Sequence, residues 1–185
     1  MMTVTVPCGS SAQRWNQVSE RDLRSCLRDL DQAYREMEKE HPGGYSVVFG
    51  DSPQQGVILR GIGTRLSTQI QLVGVPDKRE DCQQTCPFCR YVREGNKDER
   101  IINVFDQALA VQSMSGQVLV IPKEHYVHWF ETPIDEQLRL LGHAFAIRDK
   151  STNLGTMGLH CGTLAGQTVF HTHLRTGLSV LQVAA

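Results

Sequence analysis

Between Gly166 and Arg175 the chain reads Gly-Gln-Thr-Val-Phe-His-Thr-His-Leu-Arg, with polar and apolar residues in alternation. The alternation predicts a strand, Val169 to Leu174, because successive side chains of an extended chain point to opposite faces. On that reading His171, His173 and Arg175 project from one side, and Phe170, Thr172 and Leu174 from the other. Two imidazoles and a guanidinium in a row suit nucleophilic or acid–base work on an anion. Imidazole titrates near neutrality, and arginine holds a phosphate in a planar fork. Just upstream, Gly162-Thr-Leu-Ala-Gly166 is a loop of mostly small residues that brings backbone N–H groups close to such an anion. Strand and loop together read as a phosphate site.

The rest of the chain sets the limits within which this site works. Its 185 residues make one domain of ordinary size, or one domain with a substantial extension. Nineteen basic residues against 20 acidic ones leave no global field, so anion binding is local and nucleic acid is not the expected partner. No apolar run is long enough to span a bilayer, and Met1 to Cys8 lacks the layout of a signal peptide. The expectation is therefore a cytoplasmic protein with no membrane partner.

Six cysteines stand at positions 8, 26, 82, 86, 89 and 161. Without a signal peptide, the close pair in Cys86-Pro-Phe-Cys89 reads as metal or redox chemistry, and no thioredoxin-like pattern surrounds it to favour redox. Cys-x-x-Cys offers two thiolates to one ion and leaves two positions for ligands from elsewhere. His125 and His171 are the candidates, which makes a Cys2His2 zinc set. Cys8, Cys26, Cys82 and Cys161 read as reduced structural residues. His128, His143 and His41 carry no comparable argument.

Periodicity orders the remainder. Ser19 to Asp22 caps a helix that runs to about Glu40, with Leu23, Cys26, Leu27, Leu30, Ala33, Tyr34 and Met37 on its apolar face. Three short strands are expected at Tyr45 to Phe49, Gly56 to Leu59 and Leu66 to Val73, followed by a charged turn from Pro76 to Asp81. Further strands are expected at Ala108 to Gln112, Val118 to Ile121 and Met157 to His160, with a turn from Ser113 to Gly116. Thr132-Pro133 opens a helix to about Lys150 whose stripe is Ile134, Leu138, Leu141 and Phe145.

Three ordered blocks resemble the histidine triad (HIT) superfamily. Ala165 to His173 is similar to the Gly-Gln-Ser/Thr-Val run and alternating histidines of that family. Cys86-Pro-Phe-Cys89-Arg-Tyr-Val resembles the Cys-x-x-Cys opening of many members, and Gly116 to His125 resembles their Leu-Val-Ile-Pro-Lys-x-His strand. The resemblance covers residues 86 to about 178, roughly half the chain. It implies an α+β fold, a HIT-like antiparallel sheet with a packed helix over residues 81–185. Residues 1–80 form a preceding α/β extension of no recognised family. It also implies a homodimer and a nucleotide or sugar nucleotide as partner.

For the site, the resemblance implies zinc on Cys86, Cys89, His125 and His171, and attack of His173 on the α-phosphorus of a nucleotide. Gly166, Thr168 and Arg175 hold the phosphate, and Gln167, His160 and Ser113 belong to the substrate pocket. Four positions depart from the family pattern. Arg175 replaces the third histidine, a place taken by Gln in the galactose-1-phosphate uridylyltransferase and dinucleotide phosphorylase branches. His160 replaces an Asn, Gln117 replaces a His, and Ser113 is nearest to where hydrolytic members carry an Asp for the ribose. Arginine holds a phosphate but gives it no proton at neutral pH. The first expectation is thus a HIT-like nucleotide hydrolase or nucleotidyl transferase working through a nucleotidyl-histidine. The alternative is a degenerate, zinc-stabilised HIT domain that binds a nucleotide, a phosphorylated ligand or a partner protein without turnover.

Overall fold

The computed structural model describes residues 2–40, 44–61, 85–95, 98–148 and 156–179. In chain order the regular elements are β1 (Met2–Val6), α1 (Glu20–Glu40), β2 (Tyr45–Phe49), β3 (Val57–Gly61), α2 (Pro87–Glu94), β4 (Ile101–Val104), β5 (Ala108–Gln112), β6 (Gln117–Pro122), α3 (Ile134–Arg148), β7 (Met157–Cys161) and β8 (Leu174–Ser179). Every strand pairing within the two units below is antiparallel, and helices pack on the strands, which makes an α+β protein. Among the described residues no helix is long and apolar enough to cross a membrane. Contacts divide the chain into one unit of Met1–Val73 with Thr156–Thr168 and another of Gly74–Gly155 with Val169–Ala185. The expected strand at 66–73, the charged turn at 76–81, Cys82 and His41 lie outside the described residues.

In the first unit the strand order is β1-β3-β2-β7. Helix α1 starts where the Ser19 hydroxyl accepts the Asp22 N–H at 3.1 Å, an N-cap that satisfies one of the helix's orphan donors. Leu23, Cys26, Leu27, Leu30, Tyr34 and Met37 are buried at the expected spacing, and α1 lies along β3 and β1. No element is expected from the sequence ahead of Ser19, yet the first described residues, Met2–Val6, are a strand. They form β1 because Thr3 and Thr5 face outward while Val6 is buried, an alternation a strand of five residues shows only weakly. Gly158 of β7 allows the close approach of β2. A Cβ there would stand 2.4 Å from the Val47 carbonyl oxygen, which is backbone and does not yield cheaply. Gly158→Ala is therefore expected to cost about 1–3 kcal/mol, read as a fall in Tm of roughly 3–10 °C.

In the second unit the order is β8-β6-β5-β4. Cys86, Phe88, Cys89 and Tyr91 at the start of α2 pack with Leu109, Val111, Leu119 and Ile121 of β5 and β6 into one buried cluster. Ala108, Ala110, Val118 and Val120 point the other way and are fully buried too, so both faces of these strands are covered. Helix α3 packs against β8 and β6. Its buried face includes Gln137, Leu140, Leu141, Ala144 and Phe145, so the expected stripe is rotated, with Ile134 and Leu138 only half-buried. Gln137 explains the rotation. Its amide donates to the carbonyls of Trp129 at 2.8 Å and Thr132 at 3.1 Å, which makes a polar side chain part of the covered face.

The C-terminal run departs most from expectation. It is not a strand from Val169 to Leu174, because β8 begins only at Leu174, opposite Val120. His171, Thr172, His173 and Leu174 are buried in succession, so both sides of this segment are covered, and of the three basic residues only Arg175 lies on β8 itself. The Thr172 N–H explains this locally. It donates to the Tyr126 carbonyl at 2.6 Å, in the segment after β6, and not to a strand ladder.

Candidate functional site

Cys86 and Cys89 sit on the first turn of α2, with Pro87 in the first helical position, where its missing N–H costs nothing. Two thiols three residues apart on one turn face the same way. His125 follows β6, and His171 lies before β8. The four residues are all buried, and their donor atoms fall within 4.8 Å of one another. Cys86 Sγ and Cys89 Sγ each lie 3.6 Å from His171 Nδ1, Cys89 Sγ is 3.3 Å from His125 Nδ1, and the two Nδ1 atoms are 3.1 Å apart.

Those separations are the edges of a coordination tetrahedron. Bonds of about 2.3 Å to sulfur and about 2.0 Å to nitrogen, those of zinc, place sulfur and nitrogen ligands roughly 3.5 Å apart and two nitrogens roughly 3.3 Å apart. His171 Nε2 donates to the Pro122 carbonyl at 2.9 Å, which leaves the Nδ1 lone pair aimed at the centre. Burial pushes the His171 imidazole down to about 3, so it stays neutral and able to ligate. The cluster can hold one metal ion.

His173 lies beside this cluster and is itself buried. Its Nδ1 is 2.9 Å from the His171 carbonyl oxygen, a contact an Nδ1–H donates, so Nε2 carries the lone pair. Phe88 stands edge-on to both rings, 5.7 Å from His171 and 5.4 Å from His173 between centroids. Between the two histidines, Thr172 is also tied down. The Thr132 hydroxyl donates to the His128 carbonyl at 3.3 Å, so the 3.2 Å contact between the Thr132 and Thr172 hydroxyls is donated by Thr172. Arg175 is half-buried on β8, opposite Leu119.

The loop residues fall in the first unit, and the structure brings His160, Gly162, Gln167 and Gly166 together there. The Gly162 N–H donates to Gln167 Oε1 at 2.7 Å, and the Gln167 N–H returns a bond to the Gly162 carbonyl at 3.2 Å. His160 Nδ1 closes on the Ala165 carbonyl. Gly166 takes a left-handed conformation (φ 83°, ψ 24°), and its N–H donates to Thr163 at 2.9 Å. Thr168 is exposed at the end of this loop. Ser113 serves the turn between β5 and β6, where its hydroxyl accepts the Gln117 N–H at 3.0 Å and meets Ser115 at 2.9 Å. Phe88 was missed by sequence reading. Its only signal was its place between the two cysteines.

Neither a protein-family model nor a curated protein matches the chain. Solved structures do. A uridylyltransferase superposes with a TM-score of 0.57 at 18% identity, over 94% of this chain and 60% of its own. An ADP-glucose phosphorylase from Arabidopsis thaliana with bound ADP-glucose superposes with a TM-score of 0.50 at 13% identity, over 90% of this chain and 59% of its own. A hypothetical histidine triad nucleotide-binding protein from Sulfolobus tokodaii is 26% identical, with a TM-score of 0.41, over 49% of this chain and 66% of its own. The chain thus spans about 60% of the length of the two enzymes whose fold it shares.

Proposed function

We propose that the chain, which shares the fold of a uridylyltransferase and of an ADP-glucose phosphorylase and carries motifs that resemble the histidine triad superfamily, is a nucleotidyl transferase acting on a sugar nucleotide. The carrying observation is His173, whose Nδ1 lies 2.9 Å from the His171 carbonyl and whose Nε2 is thereby the basic nitrogen. Nε2 attacks the α-phosphorus, an N–P bond forms, and the P–O bond to the leaving group breaks with its electron pair going to the departing oxygen. A second acceptor oxygen then reverses the exchange and frees the imidazole.

Arg175 supports transfer over hydrolysis. A sugar phosphate or other phosphate leaves as an anion that needs no proton, and a guanidinium stabilises that anion though it donates no proton. An amine or alkoxide leaving group would need the imidazolium that a third histidine supplies. Two solved structures that share the fold over most of this chain are a uridylyltransferase and a phosphorylase with bound ADP-glucose, which supports the same substrate class. The motif resemblance assigns Thr168 and Gly166 to the phosphate oxygens and Gln167, His160 and Ser113 to the pocket. Zinc is the metal proposed for the four-residue cluster, because two thiolates and two imidazoles in tetrahedral array are its preferred set. Its part is to hold α2, the segment after β6 and the segment before β8 in one arrangement.

The arginine supplies the test. Arg175→Ala is expected to weaken binding of UDP-glucose or ADP-glucose by about 10-fold or more, the scale of a lost charge-assisted bidentate contact. Arg175→His is expected to extend turnover to substrates with poorer leaving groups. Steady-state kinetics on a series of leaving groups reads both. Turnover in wild type that ignores leaving-group pKa, and an Arg175→Ala variant with unaltered affinity, would remove Arg175 from the site. The non-catalytic reading is favoured only if wild type binds such a nucleotide and never turns it over.

A further inference from the structure

The loop assigned above to the α-phosphate, Gly162 to Thr168, carries no charged side chain. A sugar nucleotide has a second phosphate, and a guanidinium is the side chain best suited to hold it. One stands on the sheet beside the loop. Directly opposed residues of antiparallel strands share a face, and in the first unit Thr3 lies opposite Arg60, Arg60 opposite Ser46, and Ser46 opposite His160. The four side chains therefore form one row across β1, β3, β2 and β7. Their chain neighbours Leu59, Val47 and Leu159 are buried on the other face. Thr3 and Arg60 are exposed and Ser46 and His160 half-buried, so the row is open.

The loop closes on the His160 end of this row. His160 Nδ1 meets the Ala165 carbonyl, and a Cβ on Gly44, directly ahead of β2, would stand 2.6 Å from Leu164 Cβ and 2.7 Å from the Ala165 nitrogen. Ser46 is thus next to the loop, and Arg60 is one strand further, about 10 Å from His160 at the usual strand spacing. On this face the four strands carry no carboxylate and no permanent cation but Arg60. Among the described residues Arg60 forms no ion pair. A guanidinium with hydroxyls on either side suits a phosphate and the sugar that carries it.

We propose that Arg60 is the cation of a second phosphate subsite, which holds the distal phosphate of the sugar nucleotide and then the phosphate of the acceptor that replaces it. This deepens the nucleotidyl-transfer reading and rests on it for the place of the α-phosphate. One subsite serves both because transfer is an exchange, in which the sugar phosphate that leaves and the phosphate that arrives occupy the same place in turn. The acceptor is thereby a phosphate anion, free or carried by a sugar.

The test titrates full-length wild type, Arg60→Ala and Arg60→Lys by calorimetry with glucose 1-phosphate, with inorganic phosphate, and with UMP or AMP, whichever binds. Arg60 is exposed on a strand, so both variants are expected to keep the wild-type Tm. In Arg60→Ala the Kd of glucose 1-phosphate should rise about 10-fold or more, the scale of a lost charge-assisted contact, while that of the nucleoside monophosphate changes less than about twofold. Arg60→Lys keeps the charge and should recover part of the loss. Inorganic phosphate that binds as tightly as glucose 1-phosphate, and is lost with it in Arg60→Ala, would identify free phosphate as the acceptor; weaker binding would identify the sugar phosphate. Unaltered glucose 1-phosphate affinity in Arg60→Ala would overturn the inference, as would a wild type that binds neither glucose 1-phosphate nor inorganic phosphate. An equal loss for the nucleoside monophosphate would also overturn it, because Arg60 would then serve the α-phosphate. If wild type shows the expected selectivity but forms no adduct with UDP-glucose or ADP-glucose, transfer is refuted and the subsite stands.

Discussion

His173→Ala is expected to abolish the covalent nucleotidyl intermediate and to lower turnover by about 1,000-fold or more, the scale of removing a nucleophile from a two-step mechanism. The expectation follows from the hydrogen bond to the His171 carbonyl, which commits Nδ1 as donor and leaves Nε2 as the lone pair. Burial of the ring keeps water from competing for that lone pair. Intact-mass analysis after mixing with UDP-glucose or ADP-glucose should show a gain of one nucleotidyl group in wild type. The variant should show none, while its Tm and metal content stay near those of wild type. An adduct of equal yield in His173→Ala would place the nucleophile elsewhere, with His160 the next residue to test. Wild type that binds the sugar nucleotide with neither adduct nor turnover would leave a binding module in place of a transferase.

Cys89→Ser should remove metal and stability together. Cys89 Sγ approaches both His125 Nδ1 and His171 Nδ1, so it shares two edges of the tetrahedron, and serine offers a harder, poorer ligand at a longer reach. Structural zinc contributes on the order of 10 kcal/mol of binding free energy to folded states that form around it. Loss of one ligand is therefore expected to cost at least about 3 kcal/mol. In a chain of this size that is a fall in Tm of roughly 6–12 °C. Wild type should carry one zinc per chain by elemental analysis, and a chelator should reproduce the variant's loss of stability. A zinc-free wild type that unfolds at the same temperature with and without chelator would eliminate the metal centre. The His173 prediction would survive that result.

Much of the fold was legible because its signals are local. The stripe from Leu23 to Met37 repeats at helical spacing and is buried as that spacing requires. The strand at Ala108 to Gln112 and its return after the turn at Ser113 to Gly116 carry apolar runs and turn residues that need no tertiary help. β1 and β4 were missed because each is an edge strand of five or four residues with half its side chains in water. α2 was missed because eight residues opening on Cys-Pro-Phe-Cys read first as a metal knuckle.

The residue types at the site were determined by the sequence alone. Two cysteines three apart, a histidine after Ile121-Pro122-Lys-Glu, and His171 and His173 separated by one residue are the residue types that thiolate–imidazole coordination and an imidazole nucleophile would require. Where the ladder begins and what covers those side chains were decided by the tertiary structure. The alternation around His171 and His173 predicted one shared strand face. Both rings do meet Phe88, but the Thr172 N–H bonds to Tyr126, the ladder starts only at Leu174, and both histidines are buried. Where a ladder starts depends on the partner each backbone N–H finds, and a hydrogen bond to a partner 46 residues away in the chain is not encoded in any local period. The same holds for Phe88. Its place between Cys86 and Cys89 is written in the sequence, but its edge-on contact with His171 and His173 exists only once residues more than 80 positions apart are packed together.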